Sequence, residues 1–354
     1  MTPTAPLVSL ILPNKNNDPV LDLFFEKLAA HTDYANFELI AVDDGSTDRS
    51  LQILRRWRDS GRFPAFTLIE RQASGIIRTL NAGLEEARGE IVVRLDGDST
   101  IETPGWLRRM VDFHQSDDRI GVVVAKIVFD SGQIHSLGMN IVGPEGVHDR
   151  GTAITEPVGR RTLDIAVERP NEWEVEGADR IAEIDGAIGC CTMFSRDLAE
   201  RIGGFDTIYD PVGFEDFDFA LGARRLGYKV FFFPEVRVIH RVSLRNPRTD
   251  DSRRELWLWR ARRRFGDAFP LWLRKRVARA ARLGDHDPAR IALLRRHYES
   301  WSEKWGFDPI NPDMDAVLAR YGGTEVCWAY DDERREAGDR IVAAYRDRTR
   351  APSA

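Results

Sequence analysis

The sequence lacks the features that mark membrane-spanning and secreted proteins. No run of about 18 or more apolar residues occurs in its 354 residues, so we expect no transmembrane helix. The opening residues, MTPTAPLVSL, contain no basic segment followed by a long apolar one, so we expect no signal peptide. These absences predict a cytoplasmic protein, and a basic segment described below leaves open peripheral attachment to the inner face of the cell membrane.

Cysteine is scarce, and several catalytic sequence patterns are missing. Cys190 and Cys191 are adjacent and Cys327 is distant, which excludes a C-x-x-C metal site and an even disulfide framework. We find no P-loop, G-x-G-x-x-G, H-E-x-x-H or G-x-S-x-G pattern. The sequence therefore does not predict P-loop phosphoryl transfer, dinucleotide redox chemistry, a zinc protease or a serine hydrolase.

What the sequence does contain is a regular alternation of short apolar segments and helical periodicity up to about residue 130. The predicted strands are 7–13, 37–44, 65–70 and 91–96, and the predicted helices are 20–30, 48–57 and 76–87. Near-continuous apolar strands separated by helices of about ten residues indicate βαβ units around a buried, mostly parallel sheet. We therefore predict an α/β fold.

The second half of the sequence is predicted to extend this sheet and then to become helical. The predicted elements are a strand pair at 120–128, a helix opening at 213–218, and a strand at 228–234 that leads into 236–240. Beyond residue 245 the pattern is helical and rich in Arg and Trp. We predict a catalytic α/β domain over residues 1–245 and a helical extension over residues 246–354.

Polar residues follow three of the predicted strands: 13–17 after the first, 43–48 after the second, and Asp96 and Asp98 after the fourth. Ligands of open parallel sheets bind at the carboxyl ends of strands. In extended chain residues i and i+2 point the same way, so Asp96 and Asp98 are predicted to project to one side. Two carboxylates that close favour a hard divalent cation, Mg²⁺ or Mn²⁺, and the alternative is a solvated Asp-Gly turn.

Several motifs occur in the order and spacing of family 2 glycosyltransferases, which the sequence resembles over roughly residues 7–245. The motifs are VSLILPNKN, ELIAVDDGSTD, the glycine and asparagine of GIIRTLNAGLEEARGE, RLDGDS, IGGFD, FEDFD and a histidine after the next strand. The resemblance implies the GT-A fold and inverting transfer of a sugar from a UDP- or dTDP-linked donor to a hydroxyl group. It also implies Mn²⁺ or Mg²⁺ at the D-x-D pair, and a saccharide or lipid-linked saccharide of the bacterial cell envelope as acceptor.

The resemblance implies roles for individual residues as well. Asp43 matches the aspartate that contacts the nucleotide base, and Asp96 and Asp98 match the carboxylates of the ribose, metal and diphosphate contacts. His240 matches a histidine that completes the metal site in many relatives, so the expected metal ligands are Asp96, Asp98 and His240. The set expected to bind the nucleotide sugar is Pro13, Asn16, Asp43, Asp44, Gly75, Asn81, Asp96 and Asp98. For Asn81 a structural amide is the alternative.

The chain departs from the family pattern after the first strand. Asn14-Lys15 replaces the usual Thr-Tyr pair, which leaves base recognition less well defined. Lys15 is either a phosphate contact or a solvated lysine.

The predicted helix that opens at GFEDFD offers three acidic residues. Projected at about 100° per residue, Asp216 lies on the apolar arc and Asp218 on the opposite face, so Asp216 alone is predicted to face inward. An acid in the first helical turn is either a cap or a site residue. The resemblance identifies Asp216 as the catalytic base and leaves Glu215 to hold an acceptor hydroxyl.

Residues 253–296 form the basic segment. They contain 13 Arg and one Lys against four acidic residues, a net charge of +10 in a chain of net charge −6. Three interpretations stay open: a helical cap over the cleft, an amphipathic helix on anionic lipid, or a nucleic-acid-binding segment. No recognised nucleic-acid module accompanies it, so we expect no nucleic-acid partner. Arg260, Arg262 and Arg263 are candidate contacts for the donor diphosphate.

Two later stretches bear on how the enzyme would work. Processive members of the family carry Gln-(Gln/Arg)-x-Arg-Trp after the base, whereas this chain has RRELW at 253–257, so we expect addition of one or a few sugars. WSEKWGFDP at 301–309 resembles a short segment found late in many such bacterial enzymes, and we assign it no chemistry.

Two other functions stay open. A GT-A domain without catalytic activity would serve as a scaffold or binding module, although Asp96, Asp98 and Asp216 are all present. A sugar-phosphate nucleotidylyltransferase would share the fold and metal, but PNKNND lacks the glycine-rich loop that such enzymes carry after the first strand.

Overall fold

The computed structural model describes residues 5–130, 132–141, 147–149, 177–186, 188–241, 288–307 and 332–350. The strands are β1 Val8–Asn14, β2 Phe37–Asp44, β3 Phe66–Arg71, β4 Ile91–Leu95, β5 Ser99–Ile101, β6 Ile120–Phe129, β7 Ile134–Ser136, β8 Met139–Ile141, β9 Val147–Asp149, β10 Ala182–Ile184, β11 Cys191–Ser195 and β12 Lys229–His240. The helices are α1 Asp18–His31, α2 Ser50–Asp59, α3 Ile76–Glu86, α4 Trp106–His114, α5 Arg196–Ile202, α6 Glu215–Arg225, α7 Pro288–Trp305 and α8 Asp332–Arg350, with a 3₁₀ turn at Thr207–Tyr209.

Ten strands form one mixed sheet whose main order is β10-β12-β6-β11-β4-β1-β2-β3, with β5 paired to β12 and β7 to β6. The pairs β1–β2, β1–β4, β2–β3 and β6–β12 are parallel. β11 runs antiparallel to both β4 and β6. The predicted α/β fold is confirmed with a mixed sheet: four strand pairs among the described residues are parallel and five are antiparallel, and β11 is the reversed strand at its centre.

Helices cover both faces of the sheet because its strands are apolar on both faces. In β1, Ile11 belongs to one core cluster and Leu10 and Leu12 belong to the other, as the alternation of strand side chains requires. The first cluster contains residues of α3, α5, α6 and α7, and the second contains residues of α1, α2, α4 and α8. Buried apolar strands between two helical layers are therefore the main stabilising feature of this fold.

The two C-terminal helices pack into this α/β core. Trp301 and Trp305 of α7 are buried in the first cluster, and Ile341 and Tyr345 of α8 in the second. The predicted domain boundary at 245 lies outside the described residues, so that division stays a prediction. Within the described residues, no helix combines the length and apolarity needed to cross a bilayer.

The predicted strand at 228–234 and the segment at 236–240 are one continuous strand, β12. Its pairing with β6 shifts register between Phe233 and Arg237. Pro234 lies in this interval and has no N–H to donate to a neighbour, which accounts for an irregular ladder there. The shift allows β12 to continue as far as His240, at the end where the candidate site lies.

Candidate functional site

One edge of the sheet collects most of the predicted site residues. Parallel strands β1, β2, β4, β6 and β12 all present their carboxyl ends there. Because β11 runs the opposite way, it presents its amino end to the same edge. The segment that precedes Cys191 therefore meets the residues that follow β4 and β12.

Asp43 is held rigidly at the end of β2. The Asn14 side-chain amide donates a hydrogen bond to Asp43 Oδ1 at 2.8 Å, and Ser46 donates its backbone N–H to Oδ2 at 2.9 Å and its hydroxyl to Oδ1 at 2.6 Å. Asn16 lies beside this turn in the left-handed region, with φ 53°, and its side-chain oxygen accepts from Thr47 N at 2.8 Å. These contacts fix the predicted base-contact residue in a buried turn, with Pro13 buried in β1 behind it.

Asp44 fixes the loop that begins α3. Lys15 Nζ lies 3.0 Å from Asp44 Oδ2, and the backbone N–H groups of Ser74 and Gly75 donate to the same carboxylate at 2.6 and 3.1 Å. Burial alone would raise the pKa of Asp44, but these hydrogen bonds lower it below its usual value. Lys15 is therefore ion-paired in this structure.

Gly75 is a position where only glycine fits. Its φ is +95°, and a Cβ there would lie 2.6 Å from the Pro211 carbonyl oxygen. The next residue, Ile76, donates its backbone N–H to that same oxygen at 3.0 Å. The loop around Pro211, which leads into α6, is thereby attached to the start of α3.

Asn81 occupies a structural position. Its side-chain nitrogen donates to the Phe205 carbonyl at 2.8 Å, and its side-chain oxygen accepts from Phe205 N at 2.8 Å. Both polar atoms of the amide thus hold the IGGFD loop. This geometry agrees with the alternative stated in the sequence analysis, in which the Asn81 amide has a structural role.

The chain from Asp96 to Asp98 is not extended, contrary to the expectation from the sequence, because it turns between the two residues. Ser99 donates its backbone N–H to the Asp96 carbonyl at 3.1 Å, and Gly97 and Asp98 form the turn. The turn is required because β5 follows at once and pairs with β12. Asp98 is nevertheless buried, so the solvated-turn interpretation does not hold either.

Asp98 and His240 form a pair at the end of β12. Asp98 Oδ1 lies 3.3 Å from His240 Nε2, and the His135 ring packs edge-on against the His240 ring with centroids 4.9 Å apart. Burial alone would lower the pKa of His240, but Cys190 and Asp98 raise it well above its usual value. A carboxylate beside an imidazole is a ligand pair for a divalent cation.

Among the described residues, no three His, Cys, Asp or Glu side chains converge closely enough to hold a metal ion alone. An ion at Asp98 and His240 would therefore take further ligands from a substrate, as ions bound with diphosphates commonly do. Asp96, the third predicted ligand, has both carboxylate oxygens directed at Arg94 instead.

Arg94 is the central cation of the site, and sequence reasoning missed it. Its guanidinium donates to Asp96 at 2.8 and 3.1 Å and lies 3.2 Å from Glu215 Oε1. Burial alone would lower the pKa of Arg94, but Asp96 and Glu215 raise it well above its usual value. An arginine inside the apolar strand IVVRLD was the available signal, because a buried guanidinium requires acidic partners.

Asp216 faces Arg94 and the chain segment before β11. Gly189 donates its backbone N–H to Asp216 Oδ2 at 2.6 Å, and Phe217 N donates to Oδ1 at 2.7 Å. Burial and the neighbouring Glu215 carboxylate raise the pKa of Asp216, to about 7, although Arg94 opposes the shift. Phe214 occupies the cap position of α6, so the alternative that Asp216 caps the helix is wrong.

The prediction that Asp216 alone faces inward is wrong. Glu215 and Asp218 are both buried, at 4% and 2% exposure, and Asp216 is only partly buried. The projection assumed one solvent-facing side of α6, whereas α7 covers the face that carries Asp218. The predicted acid cluster is therefore divided between two faces of α6.

Some predictions fall outside the described residues. These are the diphosphate contacts Arg260, Arg262 and Arg263, the basic segment up to residue 287, and most of the 143–180 loop expected to shape the acceptor site.

The chain matches known protein families over most of its length. The family model described as Glycosyl transferase family 2 matches residues 9–203, and that of Glycosyl transferase family group 2 matches residues 185–302. The chain is 28% identical over 240 residues to the uncharacterized protein y4gI of Sinorhizobium fredii, covering 68% of this chain and 25% of the relative. It is 26% identical over 252 residues to the O-antigen biosynthesis protein RfbC of Myxococcus xanthus, covering 68% of this chain and 18% of the relative.

The chain thus spans a quarter or less of the length of these two relatives. Among solved structures, GalNAc-T7 with UDP, GalNAc and Mn²⁺ superposes with a TM-score of 0.51 at 16% identity, covering 67% of this chain and 44% of that one. The predicted GT-A fold is confirmed by this likeness and the strand order.

Proposed function

Because the chain belongs to glycosyl transferase family 2, we propose that it transfers a sugar from a UDP- or dTDP-linked donor to an acceptor hydroxyl with inversion at the anomeric carbon. The observation that carries the proposal is the position of Arg94. It contacts Asp96, the predicted donor-side carboxylate, and Glu215, the predicted acceptor-side carboxylate, from one guanidinium. The two halves of the predicted reaction centre are therefore adjacent.

Asp216 is the base in this proposal. The acceptor oxygen attacks the anomeric carbon as the bond from that carbon to the diphosphate oxygen breaks, and the bonding electrons leave with the nucleoside diphosphate. The acceptor proton passes to the Asp216 carboxylate. A carboxylate whose pKa is raised toward neutrality is better suited to accept a proton than one with an ordinary pKa.

Asp98 and His240 are the residues that would hold a divalent cation. A mixed carboxylate and imidazole pair favours Mn²⁺ over Mg²⁺, which prefers oxygen ligands alone. When bound, the cation would supply positive charge to the departing diphosphate. The GalNAc-T7 structure contains UDP and Mn²⁺, and we carry that combination to this chain only as part of the proposal.

The acceptor is proposed to be a saccharide or lipid-linked saccharide of a bacterial envelope glycan. The name of RfbC refers to O-antigen biosynthesis, which supports this class. Transfer of one or a few sugars and peripheral contact with anionic lipid through residues 253–296 belong to the same proposal. So does a cytoplasmic location.

The test is a thermal-shift panel of UDP, dTDP, GDP, UDP-GlcNAc, UDP-Glc and dTDP-Glc, each with Mn²⁺, Mg²⁺ or no metal. We expect a UDP or dTDP compound to raise the Tm with Mn²⁺ only, since a ligand at about 100 times its Kd stabilises the folded state by about 2.7 kcal/mol. Asp98→Ala should abolish the shift, and Arg119→Met, at the amino end of β6 on the opposite edge of the sheet, should keep it.

Equal stabilisation by all compounds without metal would contradict the site assignment. Release of UDP or dTDP from the stabilising sugar nucleotide then separates the remaining functions. A scaffold would bind without turnover, and a nucleotidylyltransferase would release pyrophosphate from a nucleoside triphosphate.

A further inference from the structure

We propose that Lys304 and Trp305 of α7 are positioning residues for Asp216, which they hold in place through Asp218 on the opposite face of α6. The proposal rests on the function proposed above and gives a role to the WSEKWGFDP segment. Lys304 and Trp305 act on α6, the helix that also carries Glu215 and Asp216.

A single buried carboxylate joins the two helices. Lys304 Nζ lies 2.8 Å from Asp218 Oδ2, and Trp305 Nε1 donates to Asp218 Oδ1 at 2.8 Å. The Tyr209 hydroxyl donates to the same Oδ1 at 3.1 Å. Asp218 is 2% exposed, and a buried carboxylate is stable only with such partners, so α6 has one favourable position against α7.

Lys304 also connects the helix to the IGGFD loop. The same ammonium lies 2.7 Å from Asp206 Oδ2. Asp206 accepts from Ile208 N at 3.0 Å and so starts the 3₁₀ turn that precedes α6. One cation therefore fixes both the turn that enters α6 and the first turn of α6 itself.

The residue between Asp216 and Asp218 is immobilised by aromatic packing. Trp301 stacks on Phe217 with ring centroids 5.0 Å apart and an interplanar angle of 13°. The Phe217 ring also fills the space that a Gly186 side chain would take, since a Cβ there would lie 1.7 Å from the ring. Phe217 thus cannot move without displacing α7 or the chain before β11.

These contacts act on Asp216 because the hydrogen bond that it accepts from outside α6 comes from the segment before β11 and not from α7. Its carboxylate accepts from Gly189 N and Phe217 N, and neither group belongs to α7. A shift of α6 after loss of the α7 contacts would change the distance from Asp216 to Gly189. Misplacement of a catalytic group by about 1 Å costs on the order of 100-fold in rate.

The experiment compares Lys304→Met, Lys304→Arg and the control Arg119→Met. Arg119 makes an ion pair of similar length, 2.8 Å to Asp117 against 2.7 Å from Lys304 to Asp206, and it precedes β6 at the edge of the sheet opposite the site. Donor turnover is measured with the sugar nucleotide that stabilises the wild-type chain, nucleotide affinity with UDP and Mn²⁺ by calorimetry, and local order by hydrogen exchange of peptides from α6.

For Lys304→Met we expect kcat to fall about 10- to 100-fold while the Kd of UDP stays within about twofold, since the donor side is unchanged. Exchange should accelerate in α6 and not in α3. Lys304→Arg should restore most of kcat, and Arg119→Met should match wild type. In an Asp218→Asn background, Lys304→Met should cost less than it does in the wild-type chain, because only its contact with Asp206 is left to lose.

Wild-type kcat in Lys304→Met, or equal losses of kcat and UDP affinity, would overturn the proposal. The same holds if Lys304→Met unfolds the chain and Lys304→Arg, folded, shows wild-type exchange in α6 but reduced kcat. A wild-type chain that turns over no donor would overturn the proposed function instead, and with it the role of Asp216.

Discussion

Gly189 donates its backbone N–H to Asp216 at 2.6 Å, while the guanidinium of Arg94 occupies the space beside its α-carbon. A Cβ at residue 189 would lie 2.3 Å from Arg94 Cζ. Gly189 therefore permits two contacts. It donates to the proposed base Asp216, and its lack of a side chain lets Arg94 approach closely while Arg94 pairs with Asp96 and Glu215. The first prediction concerns this position.

Gly189→Ala should displace Arg94 from Asp96 and Glu215. We expect a loss of about 1–3 kcal/mol of unfolding free energy from overpacking, together with reduced donor turnover. Chemical denaturation and a turnover assay measure the two effects. Gly222→Ala in α6 is the matched control, because its Cβ would meet the Ile202 side chain at 3.2 Å and a helical glycine gains from the change. Equal behaviour of the two variants would contradict the steric argument.

Asp216→Asn should abolish base function while leaving donor binding intact. The amide cannot accept the acceptor proton, so we expect kcat to fall by about 100- to 10,000-fold. The Kd of UDP with Mn²⁺ should not change, since none of the predicted donor or metal contacts lies on α6. A variant that keeps kcat would transfer the role of base to another residue, and Glu215→Gln is the first comparison.

The rate should depend on pH through Asp216. Burial and Glu215 raise its pKa to about 7, so the carboxylate is protonated and inactive below that value and ionised above it. kcat/KM should therefore rise with pH and level off above about 7, with about a tenfold loss per pH unit on the acid side. A flat profile from pH 5 to 8 would contradict the assignment.

Arg94→Met tests the effect of the Arg94 charge on the pKa of Asp216. Arg94 lowers the pKa of Asp216, so its removal should move the acid limb to higher pH. Arg94→Lys retains the charge and should leave the limb closer to wild type, even if it is less stable. If Arg94→Met folds and the acid limb of its pH profile does not move, Arg94 does not affect the pKa of Asp216.

Asn81→Ala should lower stability without affecting the donor. It removes two hydrogen bonds to Phe205 and leaves that backbone N–H and carbonyl without their present partner, at a cost of about 1–3 kcal/mol. Denaturant unfolding measures the loss, and calorimetry with UDP and Mn²⁺ should give the wild-type Kd. A weakened Kd in a folded variant would favour the donor-binding role that the sequence left open.

The sequence was sufficient to predict the secondary-structure elements that depend on local hydrophobic pattern. The four apolar segments of the first 100 residues became β1 to β4, and the polar residues after them lie at one edge of the sheet because parallel strands end together. The order of strands around β11 was not predictable, because antiparallel insertion of one short strand depends on long-range pairing rather than periodicity.

The predictions that failed at the candidate site also failed because they depend on contacts between residues far apart in sequence. Asp98 departs from the extended geometry because β5 pairs with a strand about 140 residues away in sequence, a contact that no local rule contains. Asp218 is buried because α7 packs over it. Arg94 was visible as a charge within an apolar strand, but its partners Asp96 and Glu215 were predicted to have other roles.

The burial of Trp301, Trp305 and Tyr345 in the same two cores as β1 has a consequence for fragments of this protein. Residues 9–203, the span of the family match, omit α6, α7, α8 and β12, so that fragment would expose apolar surface on both sides of the sheet to water. Such a fragment should aggregate rather than fold, even though it contains Asp96 and Asp98. The stretch matched by the first family model is therefore shorter than the stretch needed to bury both cores.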